Sequence, residues 1–167
     1  MPFSTYEVTV PVYRGLIATF SKTLDKAVAY ADEKAFDVAI LVAARLYPDM
    51  YSLVEQVFAF TNHMVRGTAR LAGVPVPKYE GRSEGIDDIR ARLAWTLAHF
   101  DGLTAQQFAG AHEKTIVFPA GDEEKRMSGS DYLLTFSLPH TYFHVTMAYA
   151  ILRHNGLPLN KDDFMPA

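Results

Sequence analysis

Histidines are the residues of this sequence best suited to chemistry, and two of the six, His140 and His144, stand four positions apart. In a helix that spacing puts both side chains on one face with Cβ atoms about 6 Å apart, so that two imidazoles can reach one ion. The segment around them carries an apolar stripe at helical spacing, Leu133, Phe136, His140, Phe143, Met147 and Ile151, which points the pair inward. A metal site needs a third protein ligand, and His63, on the flank Phe60, His63, Gly67 of an earlier helical segment, is the best source. Asn62 and Glu55 are the other candidates for ligands or for groups that support them. With no cysteine in the chain, every ligand is nitrogen or oxygen and no thiolate nucleophile exists. Three imidazoles and a water suit Zn²⁺, Ni²⁺ or Fe²⁺, and the sequence does not choose among them. The plainer alternative, that these histidines are ordinary core residues with satisfied ring nitrogens, stays open at this stage.

Other chemistry is less well supported. Thr141 stands where the HExxH metalloprotease motif has its glutamate, which removes the zincin reading. Ser137 lies one turn before His140 but lacks the G-x-S-x-G surroundings of a serine hydrolase. His99 and His154 lie near helix ends, where a cation favours the helix dipole, so they read as structural, and His112 carries no chemical pattern. Tyr142, Phe143, Met147 and Tyr149 read as core, with lining of an apolar pocket as the alternative. The run Asp122-Glu123-Glu124-Lys125-Arg126 reads as a solvated turn.

The elements that must position the histidines follow from periodicity. Val10, Tyr13, Ile17, Phe20, Leu24, Ala27 and Ala31 mark one face of a long first helix. A short helix capped by Asp37 runs through Ala44, Pro48 breaks the chain, and Asp49 is expected to open the next element. The second long helix reads through Val54, Val57, Thr61, Met64, Thr68 and Leu71 and stops at Gly73, with Pro75 beyond. After a Pro- and Gly-containing loop, Ser83 and Glu84 offer a cap for a third helix with core face Ile86, Ile89, Leu93, Leu97 and Phe100, ending at Gly102. Thr115-Ile116-Val117-Phe118 followed by Pro119 and Gly121 predicts a hairpin or extended excursion. Ser128 to Asp131 restart a fourth long helix that ends at Asn155-Gly156, and Pro139 inside it predicts a kink or split. The sum is an all-α chain, one domain over residues 1–167, folded as an up-and-down bundle of four long helices with the excursion between the third and fourth.

Composition narrows the partners. A chain of 167 residues with 49% hydrophobic and 21% charged residues builds a core without staples. A net charge of −3 and the absence of a stripe of Lys and Arg interleaved with aromatics leave no footprint for nucleic acid. Met1-Pro2-Phe3-Ser4-Thr5 does not open as a secretory signal does, and no apolar run approaches the ~20 residues of a membrane span. The expectation is a cytoplasmic protein acting on a small molecule, without nucleic acid or membrane as partner.

The stretches Ala44-Arg45-Leu46-Tyr47-Pro48-Asp49-Met50 and Tyr142 to Gly156 resemble a bacterial and fungal family of unknown function, number nineteen ninety-three in the domain-of-unknown-function series, over nearly the whole chain. That family is grouped with the DinB-like superfamily. The resemblance implies a four-helix bundle in which one histidine of the second helix and an HxxxH pair of the fourth hold a divalent metal. His63, His140 and His144 fill all three places. It further implies a metal-dependent hydrolase or thiol transferase, with Tyr142 or Asp49 orienting the substrate. The competing expectation is a metal-free bundle that binds a small ligand or serves as a homodimeric interaction module, with Tyr6, Tyr13 and Tyr30 as exposed aromatics on its surface.

Overall fold

A computed structural model describes residues 4–165; residues 1–3 and 166–167, which include the start of the segment read for a signal, lie outside the described residues. Its elements are α1 (Val10–Glu33), α2 (Ala39–Ala43), α3 (Leu53–Ala72), α4 (Ile86–Asp101), β1 (Thr115–Ala120), β2 (Glu123–Ser128), α5 (Gly129–Asp131) and α6 (Leu138–His154). A π-helical turn, Tyr132–Ser137, joins α5 to α6. The four long helices α1, α3, α4 and α6 make the bundle that periodicity predicts, with α3 packed against both α4 and α6. Among the described residues no helix is long and apolar enough to cross a membrane.

The first two long helices follow their stripes closely. Val10, Tyr13, Ile17, Phe20, Leu24, Ala27 and Ala31 of α1 are all buried, and Phe20 meets Phe60 of α3 edge to face with ring centroids 5.3 Å apart. Tyr13 is therefore a core residue, not the exposed aromatic expected; Tyr6 and Tyr30 are half-buried against Phe108 and Phe36. Helix α3 starts at Leu53, not at Asp49. Its opening turn is fixed by Glu55, whose carboxylate accepts from the Ser52 N–H and hydroxyl, each at 2.7 Å. Glu55 is thus tied into a capping role, and those bonds hold its carboxyl below the usual range. At the far end Gly73 takes φ +72°, the left-handed conformation that favours glycine and stops the helix.

Helix α4 is capped from within instead of by Ser83: the Asp88 carboxylate accepts from the Glu84 and Gly85 N–H groups at 3.0 Å each. The excursion between α4 and α6 is an antiparallel hairpin with Thr115 opposite Ser128 and Ala120 opposite Glu123. Glu123 to Arg126, expected in a turn, form the exposed second strand, and the turn itself narrows to Gly121-Asp122. Ile116 and Phe118 on the inner face of β1 are buried in the core. Ser128 caps the following helical segment by accepting from the Asp131 N–H at 3.0 Å.

The largest departure from the expected pattern is in the last helix. Proline has no N–H to offer and its ring collides with the carbonyl four residues back, so a regular helix cannot run through Pro139. Here the chain inserts a π turn immediately before it, and Pro139 falls in the first turn of α6, where a missing donor costs nothing. One extra residue rotates everything downstream by about 100° about the helix axis. Leu133 and Ile151 are buried as expected, but the other buried positions between and beyond them are Ser137, Thr141, Val145, Ala148 and Leu152. Phe143, expected on the stripe, is 54% exposed. His140 and His144 accordingly sit at the edge of the buried face, half-buried and open to solvent on one side.

Helix α3 accommodates the π turn through Gly67. A Cβ built there would lie 2.2 Å from Ser137 Oγ and 3.4 Å from Ser137 Cβ, so only a hydrogen fits. The Gly67→Ala variant is expected to lose about 1–3 kcal/mol of stability in urea denaturation through overpacking. Removing the colliding oxygen in Gly67→Ala/Ser137→Ala should recover most of that loss. Additive destabilisation in the double variant would show that the two residues do not press on one another.

Candidate metal centre

His63 lies near the middle of α3, and His140 and His144 occupy the first two turns of α6, so the packing of α3 on α6 brings all three rings together. The ring centroids are 4.6 Å apart for His63 and His140 and 5.6 Å for His63 and His144. The corresponding planes are inclined by only 25° and 13°. Each of the α6 rings is held by its Nδ1. His140 Nδ1 donates to the Phe136 carbonyl oxygen at 2.7 Å, and His144 Nδ1 donates to Oε1 of Gln56 at 2.8 Å. An N–H must face a carbonyl oxygen, so these bonds set the Nδ1-protonated tautomer and leave Nε2 of both rings with a free lone pair.

Aromatic rings wall the cluster. Phe136 lies 4.3 Å from His140 between centroids, Tyr51 stacks on His144 at 6.0 Å and 16°, and Phe143 meets His144 edge-on at 5.2 Å. Burial, with the neighbouring imidazoles and the Arg66 and Arg70 guanidinium groups adding to it, pushes His63 down to about 3. Burial also lowers His144. At neutral pH both rings are therefore neutral bases, the form in which imidazole binds a cation. A cleft of about 400 Å³ borders the cluster, lined by Tyr51, Glu55, Phe58, Ala59, Asn62, His63, Arg66 and His144. Pro139, His140, Phe143 and His144 line a second opening on the other side.

The chemistry of the donors fits a divalent cation: three neighbouring imidazoles, two of them with the far nitrogen anchored as in metal-ligating histidines. Their present arrangement is not yet a cage. Among the described residues no group of three or more His, Asp or Glu side chains is gathered closely enough to hold an ion. An imidazole lone pair lies in the ring plane, whereas His63 stacks on its neighbours, so its edge must turn toward them for all three to bind together.

Of the other residues singled out by type, Asn62 and Glu55 line the cleft beside the rings without joining them, and neither Tyr142 nor Asp49 lines either opening. His99 is not a helix-end cation. Its Nε2 lies 3.0 Å from Thr68 Oγ1, tying α4 to α3, and burial lowers its affinity for a proton. His112 is half-buried 3.6 Å from Glu113, and His154 is exposed in the last turn of α6. Periodicity alone missed Gln56, a buried amide seven residues before His63 and so on the same face of α3. A polar residue between the buried Leu53 and Phe60 was the available signal.

Over residues 5–165 the chain matches the family described as Domain of unknown function (DUF1993). The chain belongs to this family. DUF1993 has a bundle of the DinB kind here: the chain is similar to a solved DinB family member protein from Shewanella denitrificans, with 32% identity and a TM-score of 0.91 over 97% of this chain and 92% of that one. No curated protein matches it.

The burial of His99 has a consequence for pH. Its folded-state pKa lies below the ordinary value of 6.5, so the unfolded chain binds the proton first and folding stability falls as pH drops below that value. In the His99→Gln variant, which keeps a hydrogen-bonding group beside Thr68 but does not titrate, the melting temperature is expected to fall less steeply between pH 7 and pH 5. Parallel curves for the two proteins would contradict this assignment.

Proposed function

We propose that this DUF1993 protein is a divalent-metal-dependent enzyme of the hydrolase or thiol-transferase type, with His63, His140 and His144 as ligands of a Zn²⁺, Ni²⁺ or Fe²⁺ ion. The observation that carries the reading is the pair of anchored Nδ1 groups, Phe136 O on His140 and Gln56 Oε1 on His144, which reserve both Nε2 atoms beside a neutral His63. Bound there, the ion would act as a Lewis acid that lowers the pKa of a water or a substrate thiol. The chain's own residues supply the setting. Gln56 fixes the His144 ring, Tyr51 and Phe136 pack beside the His144 and His140 rings, and the adjoining cleft of about 400 Å³ has room for a small molecule. The reading extends to a cytoplasmic homodimer; light scattering that returned the monomer mass of 18.7 kDa would remove the dimer.

The test is metal per chain by plasma mass spectrometry on protein purified without a His-tag, alongside the His140→Ala/His144→Ala variant. About one ion per chain, absent from the variant, is the expected result, and chelator should lower the melting temperature of the wild type alone. No ion in either protein after incubation with Zn²⁺, Ni²⁺ or Fe²⁺ would remove the metal reading. Gln56→Leu should weaken metal affinity about 10–100-fold while leaving the stoichiometry intact, because it frees the His144 ring to rotate.

A second reading, a metal-free bundle that binds a small ligand, is favoured by the near-parallel stacking of the rings. It predicts that chelator leaves the melting temperature unchanged.

A further inference from the structure

Arg92 is the largest fully buried side chain among the described residues, 1% exposed on the inner side of α4. A buried charge is costly unless it is paired, and no carboxylate among the described residues pairs with it. The guanidinium is held instead by neutral groups. Its Nε donates to Thr61 Oγ1 at 2.8 Å and its Nη2 to Asn62 Oδ1 at 2.6 Å. The rings of Phe58, Tyr79 and Trp95 surround it at 5.2, 4.6 and 4.6 Å. Tyr79 is kept in place by the loop after α3: a Cβ at Gly81 would lie 2.2 Å from its hydroxyl, so the backbone passes directly against the ring. Burial lowers Arg92 to about 10, which leaves it a cation at neutral pH.

This cation lies against a cleft of about 480 Å³ that also has Arg66, Lys78, Asn62, Tyr79 and Ser83 in its lining and no acidic residue. Arg66 is exposed and forms no ion pair among the described residues, and the exposed pair of Lys78 with Glu80, at 3.8 Å, is too loose to hold the ammonium. Asn62 Oδ1 accepts from Arg92, which leaves the amide N–H donors uncommitted in a residue that lines the cleft. Phe58, Asn62 and Arg66 also line the cleft beside His63 and His144, so the two openings adjoin.

We infer that this second cleft is an oxyanion subsite, taking the carboxylate or phosphate group of a small-molecule ligand between Arg66, Lys78 and the Asn62 amide, with the Arg92 charge behind them. Guanidinium and ammonium donors recognise both groups, and the buried, unpaired Arg92 is neutralised when either arrives. A ligand anchored there extends its other end toward the three imidazoles. That extension rests on the metal-dependent reading; the oxyanion subsite does not.

Trp95, the single tryptophan, packs on Arg92 and makes the test direct. Chelator-treated protein is titrated with inorganic phosphate and, separately, with succinate, at ionic strength held constant with sodium chloride, following tryptophan fluorescence and binding heat. The chelator excludes capture of the anion by a metal, so metal content and anion binding succeed or fail independently. At least one anion should bind saturably, and the one that binds more tightly identifies the group. Arg66→Gln/Lys78→Gln alters two exposed residues and so leaves the fold intact; it should weaken that binding at least tenfold. Lys125→Gln, on the exposed hairpin, should bind as the wild type does. Absence of saturable fluorescence change and heat with both anions would overturn the subsite. So would binding undiminished in the double variant, or equally diminished in Lys125→Gln.

Discussion

The candidate site depends on the phase of α6 against α3, and that phase is set by the π turn before Pro139. The proline forbids a regular helix through its position; the inserted residue resolves the conflict and turns the rest of α6 by about 100°. Without that turn, His140 would lie at the centre of the buried face and Phe143 would be inside. With it, small and medium residues, Thr141, Val145 and Ala148, fill the interior, and the two histidines come to the edge beside His63. The π turn also ends at Phe136 and Ser137, the residues that respectively anchor His140 and press against Gly67. One local irregularity thus sets the helix contact, the orientation of an imidazole and its access to solvent.

Much of this was legible in the sequence, because the strongest signals are local. The stripes of α1 and α3, the glycine stop at Gly73 and the strand run from Thr115 each follow from the conformational preferences of neighbouring residues. The two histidines of α6 and His63 were identifiable as companions from spacing and family resemblance, and the structure places their rings side by side. Pro139 signalled an interruption, but nothing local says that the chain will add a residue and not simply bend. The expected stripe through His140 and Phe143 was therefore one residue out of phase. Capping went astray for a related reason: Ser83 and Asp49 are good cap residues by type, yet Asp88 and Glu55 reach back from inside their helices to the free N–H groups of Gly85 and Ser52.

What the sequence hid were arrangements built from distant segments. Gln56 reaches His144 across 88 positions, and the cage around Arg92 takes rings from α3, the loop after it and α4. Arg92 stands at a core position, three residues after Ile89, but its charge argues for solvent until the surrounding aromatics are seen. The result is a bundle with two adjoining clefts that share Arg66: one borders the neutral imidazoles of His63 and His144, the other adds Lys78 and the buried Arg92.

The central claim is that the three imidazoles act together on one ion. X-ray absorption spectroscopy of the protein loaded with one equivalent of Zn²⁺ tests it most directly, since the fine structure reports both the distance and the kind of ligand. The account predicts about three nitrogen neighbours near ~2.0 Å, with the outer-shell scattering of imidazole rings. A first shell of oxygen alone, or imidazole scattering that is undiminished when His63 is replaced by alanine, would contradict it.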